Sequence, residues 1–81
     1  MGMKSLADFE EKIPAVLEIL VADGDQNLAT FFTSLTPGYQ REWARYIFGV
    51  KAVETQARHI EQMKIILAAG FKSKRAYDQR A

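Results

Sequence analysis

The chain has no cysteine and one histidine, His59. It therefore has no disulfide framework, thiolate metal site, cysteine nucleophile or two-histidine metal site. Apolar runs are short as well. The best, residues 15–22, is broken by Glu18 and falls far short of the roughly 18 residues a membrane span requires. No basic-then-apolar leader opens the chain, so the expected location is the cytoplasm. Met1-Gly2 resembles a myristoylation start, but Leu6 stands where serine or threonine is needed. Proline occurs only twice, at Pro14 and Pro37, and no tract has low complexity. No Gly-rich phosphate loop or nucleophile elbow is present.

What remains is 81 residues, 48% apolar and 26% charged, with a net charge of +1: one small globular domain over residues 1–81. The charge is unevenly placed. Residues 1–40 carry net −4 and residues 41–81 net +5. Such a split orients helices within one chain or between two copies, and it is weaker than the basic excess of a dedicated nucleic-acid binder.

Apolar spacing is helical throughout. Leu6, Phe9, Ile13, Val16, Leu17 and Leu20 line one face of a first segment, over about 5–22. Ser5 and Asp8 suit its first turn, and Pro14 kinks or splits it, with a break favoured near Lys12–Ile13. Residues 22–25 read as a stop and turn. Leu28, Phe31, Phe32 and Leu35 predict a helix over 25–35. Thr36-Pro37 is a cap and restart opening a helix over 37–50, with Trp43, Tyr46, Ile47 and Val50 inward. A helix over 53–69 buries Ala57, Ile60, Met63 and Leu67, and Gly70 ends it. Ser73 caps a last short turn. The expected fold is all-α: a compact bundle of four main helices plus a short C-terminal turn of helix. Such short helices need mutual burial, and dimerisation would cover any apolar face left over.

Chemistry is scarce. Asp23, Asp25 and Asn27 have the one-three-five spacing of a calcium loop, but Leu28 and Ser34 occupy the required glycine and bidentate-acid positions. His59 reads as solvated or partly packed. Glu10 and Glu11 point about 100° apart on a helix and make no acid/base pair. The expectation is a non-enzyme with no metal, cofactor or small-molecule substrate. Helical spacing suggests that Glu42 pairs with Arg45 or Tyr46 and, acid before base, Glu54 with Arg58. The candidate binding surface is a basic-aromatic corner of Tyr39, Arg41, Arg45, Lys51, Glu54, Thr55 and Arg58.

From Phe32 to Tyr77 the chain reads F-x-x-L-x-P-G-Y-Q-R-E-W-A-R-Y-I, then K-x-x-E-T, R-H-I and G-F-K-S. These elements resemble the C-terminal helical region of the bacteriocin-protection, YdeI or OmpD-associated family, over about residues 30–79. Leu35, Pro37, Arg41, Glu42, Ile47, Lys51, Glu54, Thr55 and Ile60 carry the likeness. Similar proteins place arginine where Gln56 and His59 stand here, which implies a less cationic corner. In similar proteins this region commonly follows another domain, whereas residues 1–30 here complete the bundle. The resemblance implies a bacterial cytoplasmic protein of unassigned biochemistry, linked by its family name to resistance against bacteriocins or cationic peptides. The leading expectation is an interaction module that binds a protein partner or itself. The alternative is helix-turn-helix-like nucleic-acid binding through residues 37–69, with Gln56, Arg58, His59 and Gln62 near the reading end.

Overall fold

The computed structural model describes residues 6–80, with side chains from residue 9 onward. The expected roles of Ser5 and of the Leu6 and Asp8 side chains lie outside the described residues. Among the described residues every regular element is helical, and no strand occurs.

The first segment splits where Pro14 requires it. Proline has no N–H to donate and its ring strikes the carbonyl four residues back, so one α-helix cannot run through. The chain instead winds as a 3₁₀ helix, Leu6–Lys12, and α1 begins at Ile13, running Ile13–Ala22 with Pro14 in its first turn. Next come α2 (Gln26–Ser34), α3 (Pro37–Phe48), α4 (Val53–Ala68) and α5 (Lys74–Asp78). These bounds agree with the apolar spacing to within one or two residues, although Val50 falls in the link after α3.

Two helices end in the same way. Gly24 and Gly70 adopt φ of +80° and +90°, open to glycine at no steric cost. Each donates its N–H three residues back, to Val21 and Leu67 at 3.0 Å. The following N–H groups, of Asp25 and Phe71, reach Leu20 and Ile66 at 2.9 and 3.2 Å. This paired closure satisfies carbonyls that a helix end otherwise leaves open. The helix starts differ. Ser73 caps α5 as expected, its Oγ accepting the Ala76 N–H at 3.1 Å. Thr36 occupies the cap position of α3 with extended backbone, but its hydroxyl makes no capping bond. Its carbonyl accepts the Gln40 N–H at 3.1 Å, and the preset φ of Pro37 starts the helix without help from the hydroxyl.

The core is one cluster. Phe9, Val16, Leu20, Ala29, Phe32, Leu35, Trp43, Ala44, Ile47, Met63, Ile66 and Leu67 are all buried. Helix α3 lies at its centre, packed on the 3₁₀ helix, α1 and α4. One inward assignment needs correction. Ala57 is exposed, because the buried face of α4 runs through Met63, Ile66 and Leu67 and lies toward its C-terminal half. On α3, Trp43 and Ile47 are buried with Ala44 beside them, and Tyr46 packs against this core half-buried.

Polar side chains lock the helices to one another. Gln40 Nε2 donates to the carbonyls of Phe32 at 3.0 Å and Thr33 at 3.2 Å, closing the end of α2. From α4, Gln56 Nε2 reaches the Ile47 carbonyl at 3.1 Å, and His59 Nδ1 reaches that of Tyr46 at 2.7 Å. The acidic turn is a clasp. Lys64 donates to Asp23 and pairs with Asp25 at 3.2 Å, tying the α1–α2 turn to α4. The hydrogen bond to Asp23 holds the Lys64 ammonium above its ordinary pKa of 10.5, outweighing the partial burial that opposes it.

Two expected outcomes follow from this packing. Ala44→Leu pushes a larger side chain into a fully buried site and should lower unfolding free energy by about 1–3 kcal/mol in urea titrations. The Lys64 clasp contributes stability while the ammonium is charged, and this is lost as pH rises through its raised pKa. Between about pH 9 and about pH 12 the wild type should therefore lose more stability than Lys64→Met, by under about 1 kcal/mol given the exposed setting.

Candidate functional site

The anchor of the site is Trp43. Its indole is 2% exposed, and Nε1 donates to the Lys72 carbonyl at 3.0 Å. That bond draws the segment after α4 onto α3. Phe71 and Tyr77 meet edge to face, with centroids 5.5 Å apart, and fix α5 from its other side.

Between these elements lies an open cleft of about 1230 Å³. Its base is aromatic. Trp43 meets Tyr46 edge to face at 5.7 Å, and Tyr46 stacks on His59 with centroids 3.9 Å apart and planes 3° from parallel. Phe48 also lines the cleft, with the Lys12 ammonium 5.8 Å from its ring centroid. Gly49 ends α3 at the cleft wall, where its N–H donates to the Arg45 carbonyl at 2.8 Å. A Cβ at Gly49 would drive into that same carbonyl, so glycine sets the direction in which the chain leaves toward Lys51.

Cations stand on both walls. Arg45 and Lys51 come from α3 and the link that follows it, Lys74 and Arg75 from α5. Lys74 is engaged by Asp78 at 2.6 Å, a hydrogen bond that raises its pKa above the ordinary 10.5. No ion pair among the described residues engages Arg45, Lys51 or Arg75. Glu42 also lines the cleft without an ion-pair partner. Its expected pairing with Arg45 does not form, nor does that of Glu54 with Arg58. A smaller hollow of about 440 Å³ adjoins the cleft and is lined in part by Thr36, Tyr39, Glu42 and Arg75.

The predicted corner is thus divided. Arg45 and Lys51 meet at the cleft, and Tyr39 lies half-buried at the adjoining hollow. Arg41 turns away to Glu10, 3.6 Å distant on the 3₁₀ helix. Glu54, Thr55 and Arg58 occupy the first turns of α4 and line neither hollow. Sequence reasoning missed Arg75 and the place of His59. The first lies thirty residues from Arg45 and joins it only because Trp43 docks the C-terminal segment. Among the described residues, no group of three or more His, Asp or Glu could hold a metal ion, and no helix is long and apolar enough to cross a membrane.

Neither a curated protein nor a solved structure matches the chain. A family model does, over residues 10–70. The match takes in the 3₁₀ helix from Glu10 onward and α1 through α4, so the segment before residue 30 is part of the family pattern and not only a complement to it. The chain belongs to the bacteriocin-protection, YdeI or OmpD-associated family.

Proposed function

We propose that this protein is a non-catalytic interaction module of the bacterial cytoplasm, whose cleft between α3 and α5 holds an acidic segment of a protein partner. The observation that supports this is the set of three cations, Arg45, Lys51 and Arg75, without ion-pair partners and placed around an aromatic base. Carboxylates meet the cations and the apolar atoms between them meet the aromatic rings, a pairing of steering charge with buried area typical of recognition sites.

Glu42 argues for spaced carboxylates over a continuous phosphate backbone. A nucleic-acid strand in the cleft would bring phosphates against that carboxylate, whereas a peptide can set a donor or an apolar residue there. The helix-turn-helix alternative also loses one of its reading residues, since the Gln56 amide is turned onto a carbonyl of α3. A cationic peptide would be repelled from the cleft, so the link to peptide stress implied by the family name would run through the partner.

The test is an amide-resolved NMR titration with a Glu-rich peptide and, separately, a short DNA duplex. The peptide should shift residues along the cleft, and binding should weaken at least about tenfold in the Arg45→Glu/Arg75→Glu double variant and fall with added salt. Cleft shifts produced by the duplex and not by the peptide would overturn the reading in favour of nucleic acid. Sedimentation that showed the cleft closed by a second copy would overturn it in favour of self-association.

A further inference from the structure

His59 is held in a way that leaves one ring nitrogen for a ligand. A carbonyl can only accept, so Nδ1 carries the hydrogen it gives to Tyr46. The ring lies flat on the Tyr46 ring, which fixes its plane. Nε2 has no hydrogen-bond partner among the described residues, and the side chain lines the cleft. The neutral ring presents a lone pair at Nε2, which does nothing for a carboxylate. The protonated ring presents a charged donor, the stronger class of hydrogen bond to an anion.

We propose that His59 is a proton-dependent ligand of the cleft, its Nε2–H joining Arg45, Lys51 and Arg75 in holding a carboxylate of the bound segment. This rests on the acidic-segment reading above. The groups that share the cleft with His59 are Glu42, Arg45 and the stacked Tyr46 from α3, Lys51 from the link, and Lys74 and Arg75 from α5. Arginine, lysine, glutamate and tyrosine side chains ordinarily keep their charge state between about pH 5.5 and about pH 8, whereas imidazole titrates there. His59 is the only histidine in the chain, so one side chain can carry such a proton dependence. A bound carboxylate accepting from Nε2–H favours the protonated ring. Binding therefore takes up a proton, and by linkage affinity rises as pH falls.

The experiment follows the fluorescence of Trp43, the single tryptophan, during titration with a blocked Glu-rich peptide at about pH 8 and about pH 5.5 and constant ionic strength. Affinity should rise about three- to tenfold at the lower pH, the scale of one partly screened charge-assisted hydrogen bond. His59→Asn, whose amide nitrogen can stand where Nδ1 donates to the Tyr46 carbonyl, should lose the rise in affinity at lower pH. In the unmutated protein, NMR of the His59 ring should show its titration midpoint moving upward when the peptide is added, which needs no variant to fold. Peptide binding that is independent of pH, or an unmoved midpoint, would overturn the role of His59 while leaving the acidic-segment reading intact. Absence of binding at both pH values would overturn both.

Discussion

One hydrogen bond, from the Trp43 indole to the Lys72 carbonyl, decides what the surface of this protein is. It acts with Phe71 and Tyr77, which pack against the core, to hold the segment after Gly70, since α5 is a single short helix with no buried residue of its own. With it, a large aromatic side chain at the centre of α3 contributes its apolar area to the core and its one donor to a distant backbone. Tryptophan suits the position because it combines the largest apolar area with a single polar edge that needs a partner when buried. The cleft is what remains open once the C-terminal segment has been drawn onto α3, and its two walls are the two sides of that bond.

The same economy of polar groups runs through the rest of the fold. Short helices expose many end carbonyls relative to their length, and each must find a donor. Gly24 and Gly70 let the chain supply donors from its own backbone, whereas the ends of α2 and α3 draw on Gln40, Gln56 and His59 from elsewhere. Those side chains specify which helix lies against which. The bond that seats His59 on α3 also fixes its tautomer and leaves Nε2 uncommitted, so a structural contact and a candidate ligand are two ends of one ring.

Much of this was legible in the sequence, for reasons that are local. The break before Pro14, the restart at Pro37, the stop at Gly70 and the cap at Ser73 each follow from the steric or hydrogen-bonding habit of one residue. Three- and four-residue apolar spacing gave the faces, failing at Ala57 because a small residue packs or stays out according to its neighbours. The cross-helix donors were not legible, since nothing near Gln56 says that its partner is Ile47. Local charge rules did worst. Glu42 was expected to meet Arg45 and Glu54 to meet Arg58, yet surface pairs one turn apart are worth only a few tenths of a kcal/mol and do not form here. Half the candidate site was readable as a basic corner. Its other wall, Arg75, required knowing where Trp43 would send its proton.

The uneven charge of the two halves connects these points. The ion pairs that span the fold, Arg41 with Glu10 and Lys64 with Asp23 and Asp25, all join a base from the second half to an acid from the first. The split thus helps bring the 3₁₀ helix onto α3 and the α1–α2 turn onto α4. Because the second half has more bases than these pairings use, an excess must remain. Arg45, Lys51 and Arg75 are part of it, and they line the cleft beside α5. Cations spread over a convex face are well solvated and screened. Gathered around an aromatic-lined cleft, these exposed cations reinforce one another's field toward an anionic partner. The charge left over from folding is thereby concentrated where binding can use it.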